Sequence, residues 1–169
     1  MSLLTSTEEL VANLKKPLQG VFLTHLHIDH ISGLPAIDKQ VPMYVGEGET
    51  LERYYLYAAT RGVVDTLFEG RSALKTWSST YVDIFGDGSV FAIHSPGHTA
   101  GSTAYLVNTI DGAVLLAGDA SHTAWGWENQ VEPGKFSIDQ ARSRESLDVL
   151  AQLVQKHPQI TVKPCHQVL

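Results

Sequence analysis

Val21-Phe22-Leu23-Thr24-His25-Leu26-His27-Ile28-Asp29-His30-Ile31-Ser32-Gly33 sets three histidines and an aspartate within one hexapeptide, directly behind a short apolar run. The run Val21 to Thr24 has the β-branched and aromatic character of a buried strand, so the polar cluster opens where that strand should end. In extended backbone, residues two apart point to one side, which directs His25 and His27 at a common cation. Asp29 and His30 are adjacent, and a turn into a helix there aims both at a second cation close by, with Gly33 relieving the tight path. Imidazole and carboxylate are donors that zinc takes at catalytic sites, where few sulfur ligands leave a position open for water. A solvent-facing polar loop accounts for any one of these histidines, but poorly for four donors so close together.

Composition bounds what such a nest can serve. The chain of 169 residues is 43% hydrophobic and 18% charged, which predicts a single domain over residues 1–169 with one core. A formal net charge of -6, with no run of Lys or Arg to offset it, argues against nucleic acid as the main partner. Nothing approaches about eighteen consecutive apolar residues, so no membrane span is expected. The opening MSLLTSTEEL has neither the basic nor the apolar region of a signal peptide. The single cysteine, Cys165, excludes an internal disulfide framework and fits a reducing, cytoplasmic location.

In chain order, Ser6 and Glu9 are spaced as a capping box opening a helix, with Leu10, Val11 and Leu14 as its apolar stripe and Pro17 closing it. After the nest, Val41 to Val45 reads as a short strand. Glu47 to about Ala59 turns helical, with Leu51, Tyr54, Tyr55 and Ala58 on one side. Thr60 to Thr80 has weak periodicity and no assignment. Tyr81 to Phe85, Ser89 to His94, Ser102 to Val107 and Ala113 to Leu116 read as strands, and the turn signals between them suit antiparallel pairing. A helix runs from near Ser143 to His157 with Leu147, Leu150, Ala151 and Val154 facing a core, and Pro158 stops it. Ile160 to Lys163 is a last strand.

Three further donors occupy the same kind of address as the nest. His98 follows the run ending at Ile93 and lies in a turn where Gly97 permits close backbone approach. Asp119 follows Ala113 to Gly118, and His166 follows Ile160 to Lys163. Four strand ends carrying His or Asp can meet along one sheet edge. His157 fits better as a cation at a helix C-terminus.

The ordered set Thr24-His25-Leu26-His27-Ile28-Asp29-His30, then Pro96-Gly97-His98-Thr99, then Gly118-Asp119, then His166-Gln167 resembles the metallo-β-lactamase-fold hydrolase superfamily, over roughly Val21 to Gln167. The resemblance implies an α+β protein, an αβ/βα sandwich with a two-metal site at one edge. It implies that His25, His27 and His98 hold one metal, Asp29, His30 and His166 the other, and that Asp119 bridges. Two zinc ions per chain are the expected cofactor, with iron or manganese as alternatives.

Within the superfamily, Gly118-Asp119-Ala120-Ser121-His122-Thr123 is more similar to the lactonase-like branch than to glyoxalase II. Lactonases usually carry tyrosine where His122 stands, and often a second histidine where this chain has Gly101-Ser102. Class B1 β-lactamases would need a cysteine in the middle strands; Cys165 adjoins His166 and is expected as a buried strand-end thiol. Members of the superfamily normally have some dozens of residues before the nest, whereas 24 precede His25 here. The expectation is a fold lacking its N-terminal strands, with an exposed apolar face and homo-oligomerisation to cover it.

The chemistry so implied is hydrolysis. Two divalent ions about 3.5 to 4 Å apart share a water and lower its pKa from 15.7 towards roughly 7. The resulting hydroxide would cleave an ester-like bond, above all a lactone. His122, three residues past Asp119, can overhang the site and hydrogen-bond the carbonyl or protonate the departing alkoxide, with Trp125 and Trp127 as an apolar wall. A glyoxalase II-type thioester hydrolase and an iron sulfur dioxygenase are alternatives within the superfamily. A metal-stabilised fragment that binds a partner without catalysis is the alternative outside enzymes.

Overall fold

The computed structural model describes residues 5–50 and 55–166, the side chains of residues 55–61 excepted. The helix at the start, α1 (Thr7–Ala12), has the reciprocal cap that its sequence predicts: Glu9 N donates to Ser6 Oγ at 3.1 Å, and Ser6 N donates to Glu9 Oε2 at 3.2 Å. Its expected apolar stripe stays in solvent, with Leu10 and Leu14 exposed. The six-residue helix is held by its cap and by the contact of Thr7 with Gly33.

The first sheet is parallel, in the order β1 (Val21–Phe22), β2 (Met43–Gly46), β3 (Lys75–Trp77). Val21 pairs with Met43, and Tyr44 with Lys75. Between β1 and β2 lies the short helix α2 (Ile28–Ile31). Between β2 and β3 runs α3 (Tyr55–Phe68). The helix expected from Glu47 therefore starts later and ends later: residues 47–50 form a turn, and helix continues to Phe68 through sequence whose periodicity is weak. Of the expected face, Leu51 and Tyr54 lie outside the described residues, as do the side chains of Tyr55 and Ala58. Val64 of α3 packs with Leu23, Leu26, Ile31, Leu34, Met43 and Val45 to form the first core.

The second sheet runs β4 (Tyr81–Asp83), β5 (Val90–His94), β6 (Thr103–Thr109), β7 (Gly112–Gly118), β8 (Thr161–Pro164). Its first four strands pair antiparallel, as the turn signals require. β8 adds parallel to β7, reached through α4 (Ala124–Glu128) and α5 (Gln140–Lys156). The last helix begins earlier than its apolar spacing indicates, because Asp139 caps it by accepting from Arg142 N at 2.9 Å. Leu150 packs on Ile93, Ala104, Leu115 and Ile160 to form the second core. At about 25 cal/mol per Å² of apolar surface, each such buried aliphatic side chain contributes roughly 1.5–3 kcal/mol.

The two sheets face each other across an aromatic layer, with Phe22 edge-on to Tyr105 at 6.3 Å and Trp77 to Tyr105 at 6.2 Å. Tyr105 Oη donates to Leu23 O at 2.8 Å, locking β6 to the exit of β1. With α3 on one outer side and α5 on the other, the layers run helix, sheet, sheet, helix. Among the described residues no helix is long and apolar enough to cross a membrane.

Candidate metal centre

Four strand exits deliver the candidate residues to one place. Past β1 the chain stays extended, with Leu23 N donating to Tyr44 O at 2.9 Å and Thr24 O accepting from Thr103 N at 2.9 Å. His25 and His27 follow, and His27 is the extended residue that opens α2, from which Asp29 and His30 project. The β5–β6 turn supplies His98. Its neighbour Gly97 has φ +133°, and a Cβ there would run into the backbone of Ser143, so this turn seats directly on the start of α5. β7 ends at Gly118, whose φ of +55° swings the chain into Asp119. β8 leads to Cys165 and His166, and His166 N donates to His122 O at 2.9 Å, stitching the last strand's exit to the loop after β7. Gly33 has an ordinary φ of -80°; it is required because a Cβ there would collide with Thr7, a packing reason rather than the tight path expected.

The donor atoms of His25, His27, His98 and Asp119 lie within 4.8 Å of one another, and so do those of Asp29, His30 and His166. His98 Nε2 and His27 Nδ1 are 2.9 Å apart. Asp119 stands between the two groups: Oδ2 is 3.3 Å from His98 Nε2, 3.8 Å from His25 Nε2 and 3.2 Å from His166 Nε2, while Oδ1 is 3.3 Å from His30 Nε2. Asp29 Oδ2 approaches His30 Nε2 at 3.5 Å and His166 Nε2 at 3.4 Å.

The chemistry of these donors fits cations. His25 Nε2, which faces Asp119, is buried with no hydrogen-bond partner, a costly state that a bound ion would relieve. Burial lowers the pKa of His25 far below its ordinary value and, with neighbouring imidazoles, that of His98 to about 3. Burial lowers His27 as well. These rings are therefore neutral near pH 7, the form that ligates metal. Burial also works against the cationic form of His30, but hydrogen bonds to Asp119 and Cys165 outweigh it and raise its pKa to about 10, so His30 would have to give up its Nε2 proton to ligate a metal. Burial of Asp119 is likewise overcome by its bonds to His122 and His30, so it stays ionised well below the usual carboxylate range.

A cavity of about 350 Å³ opens over this cluster, lined by His27, Asp29, His98, Asp119 and His166 together with Ile28, His122 and Phe136. His122 Nε2 is 3.3 Å from Asp119 Oδ2, so it reaches into the donor cluster itself. The tryptophans do not form the wall: Trp125 is 65% exposed and Trp127 packs against the second core. Phe136, from the short turn before α5 with its ring 5.9 Å from His122, takes that place. Cys165 is exposed rather than buried, and its sulfur lies within 4.8 Å of donors on His30 and Asp119. His157 is the C-cap of α5, away from the lining of the cavity.

Sequence reasoning passed over Glu49, a buried carboxylate hydrogen-bonded to both His-bearing loops. The available signal was its address, since it too lies just past an apolar strand, between Gly46, Gly48 and a hydroxyl residue.

Comparison with known proteins agrees with this architecture. The model of the metallo-beta-lactamase superfamily matches residues 3–154. The N-acyl homoserine lactonase AttM of Azorhizobium caulinodans is 31% identical over 147 residues, covering 78% of this chain and 53% of the relative. The protein of the same name from Rhizobium johnstonii is 28% identical over 145 residues, covering 78% and 53%. This chain thus spans about half the length of the curated relatives it matches. A solved N-acyl homoserine lactone hydrolase, with the product N-hexanoyl-L-homoserine bound at the catalytic metal centre, superposes with a TM-score of 0.69 at 24% identity, covering 89% of this chain and 56% of that one. With its sandwich of two sheets between helices and a family match over most of its length, the chain belongs to the metallo-beta-lactamase superfamily.

Proposed function

We propose that this protein is a zinc-dependent hydrolase that opens a lactone, acting on a small molecule of the N-acyl homoserine lactone class. The observation that carries the reading is the convergence of seven donors from four strand exits under a cavity with an apolar rim; the lactonases among its relatives supply the substrate class. His25, His27 and His98 would hold one zinc, Asp29, His30 and His166 a second, and Asp119 both. Bound there, the pair would supply Lewis acidity and a water acidified toward neutrality.

The chain's own groups then divide the work. The cavity mouth orients the ligand, with Ile28 and Phe136 receiving its apolar part and the donor cluster facing its carbonyl. Asp119, ionised and 95% buried, holds the four imidazoles around Oδ2 in a fixed arc. His122 Nε2 lies where it can give its proton to the alkoxide oxygen as the ring C–O bond breaks, and its contact with Asp119 keeps the ring from swinging away. No serine or cysteine nucleophile is called for.

The test is direct. The 169-residue chain, purified without chelator, is assayed for zinc by elemental analysis and for hydrolysis of N-hexanoyl-homoserine lactone, with S-lactoylglutathione as the comparison thioester. About two zinc equivalents and turnover of the lactone in preference to the thioester are expected. Preference for the thioester would move the protein to the glyoxalase side, and zinc binding without turnover of either would leave a metal-stabilised binding module.

A further inference from the structure

We propose that Glu49 is a positioning residue that sets the spacing of the His25, His27 and His98 donors, an inference that rests on the metal-centre reading above. Glu49 lies in the turn after β2 and is 2% exposed. Its Oε1 accepts from Leu26 N at 2.7 Å, the peptide N–H between His25 and His27. Its Oε2 accepts from Thr99 Oγ1 at 2.6 Å and from Gly101 N at 3.0 Å, just past His98. One carboxylate therefore clamps two loops whose histidines are 71 residues apart in sequence and 2.9 Å apart in space.

The partners specify what this side chain must be. Leu26 N and Gly101 N can only donate, so both oxygens of residue 49 must accept, which a carboxylate does and a carboxamide cannot. Hydrogen bonds to an ionised acceptor are the stronger kind, and three of them offset the burial of the charge. Thr99 is itself oriented, its N–H donating to Ser102 Oγ at 2.9 Å with its hydroxyl 2.7 Å from the same atom. The clamp can close because the facing segments lack side chains: a Cβ on Gly101 would strike Glu49 and Gly46 O, and one on Gly46 would strike Gly101 O. On its other side the His98 turn rests on the start of α5, where Asp139 N donates to Gly97 O at 3.0 Å. The turn is thus gripped from two sides, and the grip toward His27 is Glu49.

Through Leu26 N, Gly101 N and the Thr99 hydroxyl, Glu49 acts on the segments that carry the histidines. Groups that orient metal ligands typically change metal affinity by about 10–100-fold when removed. Zinc titration with a competing chromophoric chelator, on the whole chain, tests the role. Glu49→Gln should weaken one of the two zinc ions about 10–100-fold, the same ion lost in His27→Ala and not the one lost in His30→Ala. The zinc-induced rise in Tm should shrink accordingly. Thr99→Val should act in the same direction, more weakly, and Thr99→Ser should restore the wild-type value; this pair decides the matter if Glu49→Gln does not fold. Wild-type affinity for both ions in folded Glu49→Gln, with equal Tm losses in the zinc-free and zinc-loaded protein, would make Glu49 a plain structural brace and overturn the inference while the metal-centre reading stands. Weakening of the ion lost in His30→Ala would overturn it too. A wild-type chain that takes up no zinc removes the metal-centre reading and this inference together.

Discussion

Asp119 is the residue on which both donor groups converge, one oxygen turned to His30 and the other to His25, His98 and His166. Asp119→Ala should therefore lower zinc content from about two toward zero rather than toward one, measured by elemental analysis after mild dialysis. Loss of a single equivalent would mean that Asp119 serves one ion only. His122 meets the same carboxylate but is 29% exposed on its side chain and lines the cavity, which is compatible with the proposed role of proton donor to the departing group. His122→Phe should keep the zinc content and lower kcat on the lactone by about 10²-fold, the range of a lost general acid; an unchanged kcat and pH profile would reduce the ring to a wall. The seven donors and His122 that the sequence singles out do come together in space, because each stands close behind the end of an apolar run; their roles as ligands and acid belong to the proposal. Phe136 was not legible in the sequence, since its role comes from where a short turn before α5 comes to rest, and no local spacing encodes that.

At the scale of elements, the site depends on how tightly two turns are pressed against their neighbours. Gly97 combines a φ of +133° with a backbone contact that admits no Cβ, so Gly97→Ala strains the turn and lifts His98 from the start of α5. We expect a loss of about 2–4 kcal/mol, in the range of overpacking and backbone strain combined, read as a drop in urea midpoint at unchanged m-value. A stability within about 0.5 kcal/mol of wild type would show that the turn can relax. Among the described residues, seven of the eight strands and α5 were legible as apolar runs or stripes bounded by turn signals, whereas β3 (Lys75–Trp77) falls in the stretch from Thr60 to Thr80 that has no clear period. α3 was misplaced because residues 47–50 carry a helix-like composition yet are committed to a turn, where Glu49 is drawn inward by three donors.

At the scale of the molecule, among the described residues β1 pairs on one side only and β4 is the outer strand of the second sheet. Phe22 of β1 lies edge-on to Phe85, just past β4, at 6.2 Å, with Phe85 61% and Tyr81 52% exposed. Open strand edges beside apolar surface favour pairing with another chain. Sedimentation velocity should accordingly give a dimer or larger species, and Phe85→Asp should shift it toward monomer; a wild-type monomer at micromolar concentration would contradict the expectation.

The sequence by itself determined which histidines and aspartates converge, since they follow strand exits and the extended backbone turns His25 and His27 to one side. It also determined the capped start of α1 and the buried stripe of α5. Only the tertiary structure decided that α1's stripe stays in water, that Cys165 is exposed, that Phe136 rather than either tryptophan walls the cavity, and that Glu49 ties Leu26 to Thr99. The reason is physical. Local spacing records which side chains share a side of one segment, whereas the Glu49 clamp exists only where two turns distant in sequence pack closely enough, at Gly46 and Gly101, to share one carboxylate.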